Sequence, residues 1–165
     1  MNKQIIGRNT YIDIMEYHQV PAKIDTGADS SAIWASDINM TKEGILEFKL
    51  FGPTSPFYDG QTFQRDKYSV VASRSSHGDE KIFYRVYIPI IIKGHKINVL
   101  FNLADRHNNH FPILIGRRTL AKRFIVDVGK STVILPRFKK QSPYLNNKLQ
   151  KNPYRFHQKY FKTEE

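Results

Sequence analysis

Apolar positions along this chain gather in short segments rich in Ile, Val, Phe and Tyr, with polar turn residues between them. Segments of that kind read as β-strands. They predict strands at 10–15, 20–25, 45–51, 68–73, 82–91, 96–103, 112–115, 124–128 and 132–135. The separators are Gly52-Pro53, Asp59-Gly60, His77-Gly78-Asp79, Lys93-Gly94-His95 and Gly129-Lys130. Glycine and Asp tolerate unusual backbone angles and proline presets one, which is why these pairs mark turns. One short helix is predicted at 117–122, just after Gly116. Many strands with little helix, paired non-locally, suggest a sandwich or a closed barrel. The longest apolar run, 86–92, contains Pro89. It is far shorter than the about 20 residues of a membrane-spanning helix and reads as a strand.

A length of 165 residues favours one domain. Charge then separates the body from an extension. Residues 137–165 hold eight basic and two acidic residues, whereas 1–136 hold 18 and 13, and the whole chain is +11. The terminal stretch is also rich in Asn, Gln and aromatics, with prolines at 136, 143 and 153. We therefore expect a domain over 1–136 and a basic extension over 137–165, disordered or draped on the surface. There is no cysteine, which excludes disulfide staples, Cys-ligated zinc and a thiol nucleophile. The N-terminal MNKQIIGRNTY lacks the apolar core of a signal peptide, so a cytoplasmic protein is expected. The charge points to an acidic partner without identifying it.

The segment 22–31 carries the candidate chemistry. An apolar strand runs into Asp25-Thr26-Gly27-Ala28, followed by Asp29, Ser30 and Ser31. Asp-Thr-Gly alone fits a strand ending in a turn equally well. A second motif, Ile113-Leu114-Ile115-Gly116-Arg117, leads into the predicted helix, and a tight hairpin at 92–97 precedes it. In this order the three motifs resemble the retropepsins, aspartic proteases of retroviral type, over residues 10–135. A closer resemblance is to the bacterial retropepsin-like family named for ATP-dependent zinc proteases. It rests on 23–31, on 74–78 with Arg85, on Asp105-Arg106, on 111–120 and on 124–129. The chain gives that name no support. It has no His-Glu-x-x-His motif, and Gly129-Lys130-Ser131-Thr132 lacks the earlier glycine of a phosphate loop, since position 124 is Phe. His107 and His110 stand beside Asp105 in an Asn-rich polar segment that reads as a loop. No metal and no cofactor are expected.

The resemblance implies a retropepsin-like closed β-barrel of the acid-protease fold, mainly β with one short helix. It implies an aspartic endopeptidase with Asp25, Thr26 and Gly27 at the catalytic centre. Such hydrolysis needs two carboxyl groups on one water. Held that close, they share a proton: the ionised member activates the water and the protonated one donates to the scissile carbonyl. Gly27 lets the backbone approach, and Thr26 is implied to hydrogen-bond across the pair. Only one Asp-Thr-Gly is present, and Asp127-Val128-Gly129 lies after the helix, so the expected enzyme is a homodimer with one Asp25 from each copy. Ala28 and Asp29 complete the loop, and Asp29 is implied to brace against Arg117; the plainer alternative is that each is separately solvated. The strands 67–73 and 80–87 are implied to form a flap with Arg74, Ser75, Ser76 and His77 at its polar tip, although a plain surface hairpin fits too. An additional hairpin is expected at 45–64. Arg74, Arg85, Arg106 and Arg117 fall in or beside the implied cleft, where guanidinium forks suit carboxylates. Relatives trim glutamate tails from a ribosomal protein, which implies an acidic peptide as substrate. The alternative reading is an inactive binding module. Its basic extension, with Tyr144, Tyr154, Phe156, Tyr160 and Phe161, would take RNA, a ribosome or a protein partner. A solvated tail fits the same composition.

Overall fold

A computed structural model describes residues 2–74, 78–134 and 142–161. The strands are β1 (Gln4–Gly7), β2 (Asn9–Ile14), β3 (Tyr17–Ile24), β4 (Ser31–Met40), β5 (Leu46–Leu50) and β6 (Thr62–Arg65), then β7 (Ser69–Arg74), β8 (Glu80–Ile92), β9 (His95–Ala104), β10 (Ile113–Ile115) and β11 (Phe124–Asp127). The helices are α1 (Arg117–Leu120), α2 (Pro143–Lys151) and α3 (Pro153–Phe161). The chain divides into two compact units, Met1–Val133 and Ile134–Glu165.

Six strands close into a ring in the order β10-β3-β2-β8-β9-β4, and β4 returns to pair with β10. This closed barrel matches the mainly β fold expected from the sequence. Closure leaves no free edge among these six, which removes a row of unpaired backbone groups. Every second residue of β8 from Val86 to Ile92 is buried, and the same holds for β9 from Ile97 to Leu103. Successive strand side chains point to opposite faces, so this alternation fills the barrel with one face and wets the other. Ile12, Ile14, Val20, Ile33, Ile88, Phe101 and Ile113 are essentially inaccessible there. Full burial of such a side chain is worth about 1.5–3 kcal/mol. Pro89 falls between the part of β8 that pairs with β2 and the part that pairs with β7. A residue without an N–H is tolerated at such a break.

The β5–β6 hairpin extends from β4, filling the place predicted for an additional hairpin. β1 and β11 form a separate parallel pair. Three strands escape the sequence pattern. β1 and β6 are four residues each, and β4 buries Ile33, Trp34 and Ala35 in succession. β4 is flanked by β9, β10 and β5, so it shows no simple alternation. The strand predicted at 132–135 is corrected: residues 132–134 are not a strand, and 135 lies outside the described residues. There the Asn9 carboxamide substitutes for a partner strand, its Oδ1 accepting from the Thr132 and Val133 amides, each at 2.8 Å.

Among the described residues before 134 the one helix is the short α1, as expected, whereas the extension, expected to be disordered or draped on the surface, holds α2 and α3. Pro143 and Pro153 start helices. Ser142 caps α2, its hydroxyl accepting from the Leu145 amide at 3.2 Å, with Pro143 in the first turn. The Asn152 carboxamide accepts from the Arg155 amide at 2.9 Å, and Pro153 opens α3. Proline fits the first helical turn because the N–H it lacks would be unpaired there. No helix among the described residues is long and apolar enough to cross a membrane.

Candidate active site

Asp25 follows directly on β3, and the barrel fixes its backbone. β10 runs parallel to β3, and the Asp25 amide donates to the Ile115 carbonyl at 2.9 Å. The carboxylate is held from below by its own turn. Oδ1 accepts from the amides of Gly27 at 3.0 Å and Ala28 at 3.2 Å. Two donors on one oxygen fix the side-chain orientation. The other oxygen, Oδ2, lies 3.4 Å from Lys23 Nζ. Lys23 and Asp25 are two apart along the strand direction and so share a face. A side chain at Gly27 would place its Cβ 3.3 Å from Asp25 Oδ1, crowding the carboxylate. Thr26 and Gly27 are exposed in the single chain.

The start of α1 braces this loop from the other side. The Arg117 amide donates to the Ala28 carbonyl at 2.8 Å, and the Arg118 amide to the Asp29 carbonyl at 3.3 Å. The Ser31 hydroxyl accepts from the Gly116 amide at 3.1 Å and meets the Thr119 hydroxyl at 2.9 Å, both buried. Gly116 is required by space. A Cβ there would lie 2.4 Å from the Ser30 carbonyl oxygen and 2.9 Å from that of Ala28. The two sequence motifs thus meet as one unit because β10 sits between β3 and β4.

Asp29 meets Arg117 at 3.4 Å as the resemblance implies, and it meets Arg118 more closely, at 2.9 Å. Arg106 is half-buried, and its Nε donates to the Phe111 carbonyl at 3.1 Å. Burial pulls its pKa down, and the negative charge of Asp25 opposes that shift. Two cations, Lys23 and Arg106, therefore act on the Asp25 carboxylate. Arg85 lies on β8. It stands opposite Asn102 and lines a concavity of about 230 Å³ with Arg118 and Arg123, beside Ser30 and Ser31. Its Nε and the Asn102 Oδ1 are buried without a hydrogen-bond partner among the described residues.

The β7–β8 pair forms the hairpin predicted for the flap, with Arg74 opposite Glu80. Ser75, Ser76 and His77 lie outside the described residues. His107 Nδ1 and Asp105 Oδ2 are 2.8 Å apart on the surface, and the His107 amide and ring hold the Asp105 pKa below the usual carboxylate range. Among the described residues no three His, Asp or Glu side chains converge as a metal site. Sequence reasoning passed over Lys23, Arg118 and the Ser31–Thr119 pair. Strand period pointed to Lys23. Nothing local pointed to Ser31 and Thr119, which are 88 residues apart.

Comparison with solved structures finds a protein of unknown function (DUF785) from Legionella pneumophila, 22% identical, with a TM-score of 0.62 over 79% of this chain and 97% of that one. At that identity the likeness speaks for the fold alone. No curated protein matches the chain. A family profile described as retropepsin-like aspartic endopeptidase RimB matches residues 5–137, the stretch that carries both motifs and the whole barrel. That description mentions neither ATP nor zinc. The chain belongs to the RimB-like family of retropepsin-like aspartic endopeptidases.

Proposed function

We propose that this chain is one half of a two-fold aspartic endopeptidase. The observation that carries the reading is the Asp25 carboxylate, with Oδ1 pinned by the Gly27 and Ala28 amides and Oδ2 beside the Lys23 ammonium. The chain has a single Asp-Thr-Gly, so the second carboxyl comes from a second copy across a two-fold axis. The exposed Thr26 and Gly27 suit such a contact. One carboxylate takes a proton from the shared water as its oxygen attacks the scissile carbonyl carbon. The protonated partner carboxyl donates to the carbonyl oxygen, giving a tetrahedral diol. Return of a proton to the leaving nitrogen then breaks the carbon–nitrogen bond. The dyad titrates as a unit.

An acidic, glutamate-rich peptide is the substrate class the charges favour. Lys23 and Arg106 both act on the reacting carboxylate, and their cationic groups suit substrate carboxylates nearby. The β7–β8 hairpin serves as the flap over the bound peptide, and Arg74 lies at its end.

Cleavage of oligoglutamate and of neutral peptides of equal length tests the reading, followed by mass spectrometry with the wild type and Asp25→Asn. Wild type is expected to cleave the acidic peptide faster. Asp25→Asn is expected to lose about 10²–10⁴-fold or more in rate, the usual worth of a general base. Equal rates on both peptides would remove the acidic preference. An Asp25→Asn protein with wild-type activity, or an active species sedimenting as a monomer, would refute the mechanism.

A further inference from the structure

The α2–α3 pair shows a feature that peptide hydrolysis does not use. Residues 142–161 contain Lys148, Lys151, Arg155 and Lys159 and no acid. All four cations line one concavity of about 300 Å³, together with Asn152 and the rings of Phe156 and Tyr160. Asn152 creates that convergence. It closes α2, its amide donating to the Lys148 carbonyl at 3.2 Å, and its carboxamide caps the first turn of α3. The last turn of one helix and the first turns of the next are thereby brought to one hollow. Lysines at 148 and 151, and cations at 155 and 159, are helix neighbours, and like charges at such spacings destabilise a helix. Four of them around one hollow form a site whose repulsion a bound anion relieves.

Two aromatic rings, Phe156 and Tyr160, line the hollow, and others lie on the same two helices. Phe156 and Tyr160 pack with centroids 4.6 Å apart, and Lys148 Nζ stands 4.3 Å over the Tyr144 ring. Tyr154 is 74% exposed; Phe161 and Tyr144 are 67% and 64% exposed, with His157 stacked on the first and Lys148 over the second. Leu145 and Leu149 are the aliphatic residues between 142 and 161, and both are partly exposed. A surface helix that enters a bilayer keeps its apolar face apart from its cations, whereas Phe156 and Tyr160 here share one hollow with Lys148, Lys151, Arg155 and Lys159. An acidic peptide would satisfy the cations and leave the rings unused. Phosphates spaced along a flexible strand, with bases free to stack, use both features.

We infer that the α2–α3 hairpin is a binding site for single-stranded nucleic acid, with Lys148, Lys151, Arg155 and Lys159 on phosphates and the Tyr and Phe rings under bases. The site is independent of the peptidase reading, since it involves no residue of the Asp25 loop.

The test is fluorescence anisotropy of the full chain with a labelled uridine 20-mer across a salt series. Four phosphate contacts on a single strand predict a slope of log K against log salt near −3, or about 50-fold weaker binding between about 50 and about 200 mM salt. The variant K148Q/K151Q/R155Q/K159Q is expected to lose that slope and weaken binding at least about 50-fold at the lower salt. Phe156→Leu with Tyr160→Leu is expected to weaken binding while leaving the slope in place, because stacking releases no counterions. Circular dichroism of each variant checks that the helices persist, and Arg155→Lys, which keeps charge and helix propensity, should retain the slope. No binding at low salt overturns the inference, as does a quadruple variant that binds like wild type. Equal affinity for oligoglutamate of the same charge, or for vesicles of phosphatidylserine and phosphatidylcholine, also overturns it, in favour of an acidic protein or a membrane surface.

Discussion

Replacing Gly116 by alanine tests whether the two motifs form one mechanical unit. The added Cβ would meet the Ser30 carbonyl oxygen at 2.4 Å, the Ser30 carbonyl carbon at 2.6 Å and the Ala28 carbonyl oxygen at 2.9 Å. Ordinary carbon contacts begin near 3.4 Å, so the loop must retreat by about 1 Å. These atoms are backbone and have no rotamer to adopt. Overfilling a packed site costs about 1–3 kcal/mol. Retreat of the Ala28 carbonyl also stretches its 2.8 Å bond from the Arg117 amide, worth about 1 kcal/mol. Together the loss is about 3 kcal/mol, or roughly a 10 °C fall in Tm for a unit of this size. Thermal unfolding of the full chain measures it, and cleavage of an oligoglutamate peptide reads the displaced Asp25 loop. Gly94→Ala is the control. Gly94 has φ +80° but open space around its Cβ, so it carries backbone strain of about 1 kcal/mol and no push on the site. A Gly116→Ala protein that melts within 3 °C of wild type, or a Gly94→Ala protein equally damaged, would refute the reasoning.

Asn9 is buried and accepts from two amides at 2.8 Å, so Asn9→Ala leaves both N–H groups unpaired, at about 2–4 kcal/mol by urea unfolding. Asn9→Asp retains that acceptor and is expected to cost less. Thr119→Val removes the buried partner of the Ser31 hydroxyl and is expected to cost about 1–2 kcal/mol, with peptidase activity falling alongside stability in a thermal and kinetic assay. Asp29→Ala breaks exposed pairs to Arg117 and Arg118, and its effect on unfolding free energy is expected to stay within about 1 kcal/mol at any salt concentration. Phe101→Ala empties a fully buried site in the barrel and is expected to cost about 3–5 kcal/mol in chemical denaturation.

Both signatures were legible without the structure, because each is local. Asp25-Thr26-Gly27-Ala28 is a turn whose own amides hold the carboxylate, and Gly116-Arg117 opens a helix immediately after a strand. Strands with regular alternation, such as β8 and β9, were legible for the same reason. β4 was not, because neighbours on several sides bury its residues in succession. In the extension, the prolines at 143 and 153 entered only as composition suggesting disorder or a surface drape, whereas each follows a cap and starts a helix.

By itself the sequence determined that this is a β-rich chain with a single Asp-Thr-Gly, no thiol chemistry, and a basic extension holding more than half of the +11 charge. Only tertiary structure decided which residues act together. Ring closure through β10 brought residues 25–31 against 113–120, giving Gly116 its steric role and Ser31 its partner in Thr119. The same packing placed Arg106 within electrostatic reach of Asp25 and drew Arg85 to Arg118 and Arg123. In the extension, Asn152 turned four separate cations into one hollow. Turn and strand preferences act over a few residues, whereas these meetings span up to about 90 residues of chain and are fixed by which strands share a sheet.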